Sequence, residues 1–248
     1  MKTLMNGACL ALLMSGTSVL ANDSVLAEIA KPQQWAIQMG DYANTRYSTL
    51  DQINKDNVKD LRVAWTFSTG VLRGHEGSPL VIGDVMYVHT PFPNKVFALD
   101  LNDGGKILWR YEPQQDPNVI AVMCCDTVYR GLSYADGMIL LGQADTTVVA
   151  LDANTGEPKW STKIGDPAIG ETLTATVVPV KDKVLVGISG GEYGVRGRMT
   201  ALNLADGSEA WKAWSTGPDE ELLVDPENTT HLGKPIGADS SLSSWEGD

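Results

Sequence analysis

Short apolar runs, each followed by an Asp or Asn, a glycine turn and a tryptophan, recur along this chain. One copy reads Val96-Phe-Ala-Leu-Asp-Leu-Asn-Asp-Gly-Gly-Lys-Ile-Leu-Trp109, the next Val148-Val-Ala-Leu-Asp-Ala-Asn-Thr-Gly-Glu-Pro-Lys-Trp160, and the third Arg198-Met-Thr-Ala-Leu-Asn-Leu-Ala-Asp-Gly-Ser-Glu-Ala-Trp211. The alanines Ala98, Ala150 and Ala201 stand 52 and 51 residues apart, and Gly104, Gly156 and Gly207 each follow six positions later. An apolar run that turns at Asn/Asp/Thr-Gly and resumes predicts a β-hairpin, because the glycine supplies the positive φ that such a turn needs. Further strand-like runs lie between the copies, at 79–88, 138–141, 177–180 and 184–188. About four strands in each ~50-residue unit is the size of a propeller blade. The pattern predicts an all-β chain of stacked blades with Trp109, Trp160 and Trp211 packed between neighbours. Leu61-Arg-Val-Ala-Trp65-Thr-Phe67 reads as the closing strand of an earlier unit.

Roughly three to four blades fit in this length, whereas a propeller must close on itself to protect its edges. The sequence stops at Trp245-Glu-Gly-Asp248 without a closing strand, so it is read as part of a longer chain, with residues 22–248 an incomplete propeller domain. Residues 1–21 read as an export signal. Lys2 gives the positive charge, the run from Ala8 to Leu20 the apolar core, and Val19 and Ala21 a cleavage site after Ala21. That run is too short for a good membrane anchor. The expected location is the periplasm.

Removing residues 1–21 takes one lysine and no acid, moving the formal net charge from −12 to −13. Such a surface repels nucleic acid and sets that partner class aside. Cys9 leaves with the signal; Cys124 and Cys125 remain, adjacent in sequence. An even number in an oxidising compartment points to a disulfide. Adjacent cysteines bridge only through a cramped ring, so unbridged thiols, or pairing elsewhere, stay open from the residues alone.

Five segments stand outside the blade pattern. Leu72-Arg-Gly-His-Glu-Gly-Ser-Pro79 places Glu76 between two glycines, which lets the backbone hold a carboxylate in an unusual position. Val122-Met-Cys-Cys-Asp-Thr-Val-Tyr-Arg130 carries the cysteine pair and a basic residue. Gly170-Glu-Thr-Leu-Thr-Ala175 offers hydroxyls at Thr172 and Thr174. Gly187-Ile-Ser-Gly-Gly-Glu192-Tyr-Gly runs from a strand into a glycine-rich loop with one acid. It lacks the endings of a phosphate loop or a dinucleotide fingerprint, and Glu192 suits a hard cation. Ser243-Ser-Trp245 breaks the tryptophan spacing, since 211 to 245 is only 34 residues, so Trp245 is a candidate for stacking on a ligand. Taken singly, each segment reads equally as an ordinary loop or strand.

Together they resemble the large subunit of the PQQ-dependent methanol dehydrogenases, closest to the lanthanide-using type, over essentially all of residues 22–248. The carriers are Gly-His-Glu-Gly (74–77), His-Thr-Pro-Phe-Pro-Asn (89–94), Cys-Cys-Asp (124–126), Arg-Gly-Leu (130–132), Gly-Glu-Thr-Leu-Thr (170–174), Gly-Val-Arg-Gly (194–197) and Trp-Glu-Gly-Asp (245–248). The resemblance implies an eight-bladed propeller holding pyrroloquinoline quinone (PQQ) near its axis. It implies a Cys124–Cys125 disulfide on one face of the quinone and Trp245 on the other. Glu76, Arg130, Thr174, Ser189, Gly190, Gly191 and Ser243 would contact the quinone, Ser243 standing where the family often has Thr. Glu192 would ligate a lanthanide, or Ca²⁺ as the alternative. The implied reaction is oxidation of methanol or another small primary alcohol, with electrons passing to a cytochrome c and an Asp base expected beyond residue 248. A homodimer is compatible with this. An ethanol-type or broader alcohol dehydrogenase is the rival within the class. A non-enzymatic exported propeller scaffold explains the repeats but not Cys124-Cys125, Glu192 or Trp245.

Overall fold

The structure is a computed structural model that describes residues 21–217, 221, 225 and 227–235. Its centre is three consecutive four-stranded antiparallel sheets, each a meander in sequence order. Blade 1 is β1 (Leu80–Ile82), β2 (Val85–His89), β3 (Val96–Asp100) and β4 (Lys106–Tyr111). Blade 2 is β5 (Ser133–Ala135), β6 (Met138–Gly142), β7 (Thr147–Asp152) and β8 (Pro158–Lys163). Blade 3 is β9 (Val178–Val180), β10 (Lys183–Gly187), β11 (Arg198–Asn203) and β12 (Glu209–Trp214). A two-residue ladder, β13 (Thr230–His231) with β14 (Lys234–Pro235), follows. Before the blades lies one α-helix, α1 (Asp23–Ile29), which the sequence reading did not anticipate.

Both faces of blade 2 are apolar because both are covered. Ile139, Leu141, Val149 and Leu151 meet Leu80, Tyr87, Val96 and Ala98 of blade 1. Their alternates Met138, Leu140, Val148 and Ala150 meet Val184, Val186, Leu202 and Leu204 of blade 3. Strands buried on both faces therefore read as continuous apolar runs rather than alternating ones. The turns between strands are built from left-handed residues. Asp136 and Gly137, at φ 48° and 74°, join β5 to β6, the backbone that matches the twist of a two-residue hairpin. Sequence run 79–88 is two strands rather than one, broken at Gly83-Asp84.

The repeated tryptophans dock each blade on the next. The Trp109 indole donates to the Ala153 carbonyl at 2.9 Å, and Trp160 to the Leu204 carbonyl at 2.9 Å. Each ring lies flat against the turn glycine of the following blade: a Cβ on Gly156 would sit 2.5 Å from Trp109 Cε3, and one on Gly207 2.7 Å from Trp160 Cδ2. The closing strand expected over residues 61–67 is not formed. Trp65 and Phe67 are half-buried against blade 1, and their contacts are side-chain contacts: Phe67 meets Phe97 edge-on. Trp65 covers a glycine as Trp109 and Trp160 do, and that glycine is Gly105. The turn of blade 1 carries one extra residue, so it is the Gly105 amide that returns to the Asp100 carbonyl (2.8 Å), as Gly156 does to Asp152 and Gly207 to Asn203. Trp211 is 39% exposed among the described residues.

In an antiparallel meander the entry to the first strand, the turn between the second and third, and the exit from the fourth share one end of the sheet. The docking turns occupy the other. Among the described residues the segments singled out for chemistry fall at the entry end: 70–79 before β1, 90–95 between β2 and β3, 112–132 from β4 to β5, 164–177 from β8 to β9, and 188–197 between β10 and β11. The N-terminal stretch braces this arrangement. Trp35 pairs with Val81 and Ile37 with Ser133, and Gln38 Oε1 accepts from the Ser78 amide at 3.2 Å. Asn22, the residue after the expected cleavage point, caps α1 and donates to the Lys181 carbonyl at 2.7 Å.

Candidate functional site

The entry segments of the three blades meet in a chain of polar contacts. Glu76 Oε2 lies 3.3 Å from Arg130 Nε, and both side chains are a little under half exposed. The Arg130 amide donates to the Thr174 carbonyl at 3.1 Å, and its guanidinium reaches the same carbonyl at 3.4 Å. The Thr174 hydroxyl lies 3.0 Å from that of Ser189. Thr172 and Ser189 exchange backbone hydrogen bonds of 3.2 and 3.0 Å. One carboxylate, one guanidinium and two hydroxyls from three blades thus line one rim. An ion pair this exposed contributes little to stability, so its charges remain available to a ligand.

Ser189 leads into a turn that only glycine can make. Gly190 stands at φ 127°, and a Cβ there would collide with the Gly170 carbonyl. A Cβ on Gly191 would meet nothing, so that backbone is open on one face. Glu192 sits exposed in a short 3-10 turn, Gly191–Tyr193. Among the described residues no three His, Cys, Asp or Glu side chains converge as a metal cluster. Tyr193 packs against Gly170 and its hydroxyl reaches the Ala121 carbonyl at 3.4 Å, which ties this turn to the segment preceding the cysteines.

Cys124 and Cys125 are joined by a disulfide. Cys125 and Asp126 both hold left-handed backbone, at φ 65° and 66°, a conformation non-glycine residues keep only where their surroundings enforce it. Those surroundings are visible. Asp126 Oδ1 binds Arg73 at 3.0 Å, joining the cysteine loop to the Glu76 loop. The Thr127 carbonyl accepts from the Phe92 amide at 2.9 Å. Beneath the loop Val119, Met123 and Ala144 form a small apolar cluster with Phe92 and Val122 against it.

Residues 89–94 carried only resemblance in the sequence; the structure gives them work. Asn94 Oδ1 accepts from the Ala144 amide and from Gln115, both at 3.0 Å. His89 is 4% exposed, stacks edge-on against Tyr129 and fills the space beside Gly77, where any Cβ would collide with its ring. Burial lowers its pKa to about 4, so the ring is neutral, and its Nε2 has no hydrogen-bond partner among the described residues. Nothing in the periodicity marks a histidine as a wedge, because the residue it meets lies twelve positions away across a hairpin. A second cluster also went unread. Glu171, inside the Gly-Glu-Thr-Leu-Thr segment, pairs with Arg198 at the start of β11, and both are almost fully buried. Ser243 and Trp245 lie outside the described residues.

Residues 35–234 match the family described as glucose/ethanol/alcohol dehydrogenase, β-propeller domain, the PQQ family. The chain belongs to this PQQ dehydrogenase propeller family. A Paracoccus denitrificans protein designated dehydrogenase XoxF is 90% identical over 248 residues, all of this chain and 41% of that protein. The lanthanide-dependent methanol dehydrogenase of Methylorubrum extorquens is 67% identical over 236 residues, 95% of this chain and 39% of that one. A solved europium-containing methanol dehydrogenase superposes with a TM-score of 0.81 at 53% identity, covering 83% of this chain and 36% of the other. The chain therefore spans about two-fifths of the length of these propeller-family relatives. Among the described residues no helix is long and apolar enough to cross a membrane.

Proposed function

We propose that this chain supplies one side of a PQQ and cation site in an exported dehydrogenase of small primary alcohols, methanol foremost. The observation that carries the reading is the convergence of Glu76, Arg130, Thr174 and Ser189 from three successive blade entries, with the Cys124–Cys125 loop and the Glu192 turn tied to the same rim. The group fits what is there. PQQ is a flat polycarboxylate with two adjacent carbonyls. The half-exposed Arg130 guanidinium suits a carboxylate, since charge-assisted pairs of this kind are the strong ones. The Thr174 and Ser189 hydroxyls and the open backbone at Gly190–Gly191 suit the remaining oxygens. The disulfide gives a flat face without polar hydrogens for one side of the ring, and Trp245 is assigned to the other. Ser243 is assigned a quinone contact beside it.

Glu192 is the cation ligand this chain provides, a hard oxygen donor at the edge of the rim. The cation is a lanthanide, in keeping with the relatives named for that dependence, with Ca²⁺ as the other candidate. When bound, the quinone supplies the two-electron sink and the cation a Lewis acid beside its carbonyls. The chain's own task is orientation. Arg130 holds the quinone edge, Glu76 holds Arg130, and the Thr174–Ser189 contact fixes where the hydroxyls stand. The Asp base and further ligands are assigned beyond residue 248, and a cytochrome c is the electron acceptor. Export to the periplasm follows from the signal read at residues 1–21.

The deciding experiment is an absorption spectrum for bound quinone, with elemental analysis of the same sample of full-length protein, followed by methanol and ethanol turnover. Quinone with about one lanthanide per chain and a preference for methanol is the expected result. Calcium in its place moves the protein to the other branch, and a preference for ethanol to the broader alcohol dehydrogenases. Neither quinone nor metal, even after both are added, leaves an exported scaffold and overturns the proposal.

A further inference from the structure

Glu171 and Arg198 have side chains only 8% and 6% exposed, at the end of blade 3 that carries the rim. The pair is bidentate: Arg198 Nη1 meets Glu171 Oε1, and Nη2 lies 3.0 Å from Oε2. Neither group stops at its partner. Arg198 Nη2 also donates to the Ile164 carbonyl at 2.8 Å, and Glu171 Oε2 accepts from the Asp166 amide at 2.8 Å. A Cβ on Gly165 would sit 2.5 Å from that same oxygen, so the carboxylate is pressed against the connector backbone. The arginine fork pulls Glu171 toward the charged form more than burial opposes it.

The placement of this pair is what gives it meaning. Glu171 precedes Thr172 by one residue and Thr174 by three. Arg198 accepts at its own carbonyl from the Ile188 amide at 3.3 Å, one residue before Ser189. The two charged residues thus close the base of a loop pair whose tips are the Thr172–Ser189 bridge and the Thr174–Ser189 hydroxyl contact. On its outer side Arg198 faces the Trp214 indole, its Cζ 5.4 Å from the ring centre, with Arg196 at 4.4 Å on the same ring. A buried ion pair is a poor way to gain stability, since well-packed apolar residues of similar volume usually serve as well. Apolar residues, however, cannot hold the Ile164 carbonyl and the Asp166 amide.

We propose that Glu171 and Arg198 are positioning residues of the quinone site: together they set the spacing between Thr174 and Ser189, and through the Gly170–Gly190 contact the direction in which Glu192 presents its carboxylate. The inference rests on the reading of the rim as a quinone site. Neither residue touches the quinone or the cation; both act through the connector 164–174 and the 188–197 loop.

The test uses the full-length protein freed of quinone and metal, titrated with PQQ in the presence of La³⁺, with thermal unfolding of the unloaded protein measured alongside. The variants are Glu171→Gln, Arg198→Lys and the apolar double variant Glu171→Leu/Arg198→Met. Glu171→Gln and Arg198→Lys are expected to raise the quinone Kd roughly ten- to a hundredfold and to shift the absorption band of the bound quinone. The double variant is expected to recover the melting temperature of the unloaded protein but not the Kd. A purely structural pair gives another pattern, in which Kd follows melting temperature across all variants or the single variants bind as the wild type does; either result overturns the inference. A wild-type protein that binds no quinone overturns the site reading itself, which separates the two failures.

Discussion

At the scale of single residues, His89 shows how burial turns an ordinary side chain into a pH-sensitive structural part. Its ring is neutral in the folded state because its pKa is lowered to about 4, mainly by loss of solvation, while the unfolded chain protonates near the usual 6.5. Between those values the unfolded state binds more protons than the folded one, so stability falls as pH falls through this window. The expected loss from this residue is roughly 2 to 3 kcal/mol between pH 7 and pH 4.5. Urea unfolding of full-length protein at the two pH values measures it. His89→Gln, neutral at both, should remove that part of the loss, and an equal loss in the variant would locate the pH dependence elsewhere. Because the ring is pressed against Gly77, its protonation should be felt first in the Glu76 loop. The identity of Glu76 as a candidate was legible in the sequence, from its two flanking glycines. The histidine that makes one of those glycines necessary was not, since the contact crosses from one strand to the loop before another.

At the scale of elements, the hairpin and its tryptophan are nearly a local code. A left-handed glycine ends the turn, the bulge beside Ala98, Ala150 and Ala201 resets the register, and the tryptophan paired with that alanine on the adjacent outer strand meets the next blade at Trp109 and Trp160. The sequence carried the turn glycine and the tryptophan, but not the bulge. Blade 1 has one residue more in this turn: Gly104 and Gly105 are both left-handed, and it is Gly105 that the Trp65 ring covers. One short inner strand was also missed: Ser133–Ala135 is three residues, too few to display a period, and it exists because β6 and Ile37 supply its partners. Gly156 combines φ 76° with an indole at van der Waals limit, so Gly156→Ala strains both backbone and packing. Its expected cost is about 2 to 4 kcal/mol. Chemical unfolding of the full-length variant checks this, and a cost below about 0.5 kcal/mol, the range of ordinary surface changes, would mean that the blade contact is loose.

At the scale of the whole molecule, consecutive blades matter because they bring their entry loops to one end. Glu76, Arg130 and Thr174 are 54 and 44 residues apart in sequence, close to one blade step each, and this is why they arrive side by side. A ligand held by three blades stabilises all three at once. Quinone and La³⁺ together should therefore raise the melting temperature of the unloaded full-length protein in a concentration-dependent way, the added stability reaching about 2.7 kcal/mol at a hundredfold excess over Kd. A melting temperature unmoved over that range of concentration would contradict the proposed site. Removal of the cation by a chelator should reverse the shift.

By itself the sequence determined the repeat, the turn chemistry, the tryptophan spacing and the residue types offered to a ligand, because each of these is written in neighbours a few positions apart. It also carried the family, through short segments whose combination is specific even though each is ordinary alone. Tertiary structure decided which of those residues meet: that Arg130 spans from Glu76 to Thr174, that Phe92 and Arg73 hold the cysteine loop from two sides, and that Glu171 lies buried against Arg198 rather than exposed on the rim. The physical reason is the same in each case. Contacts across blades depend on the stagger of one sheet on the next, and that stagger is set by the packing of whole faces rather than by any local pattern.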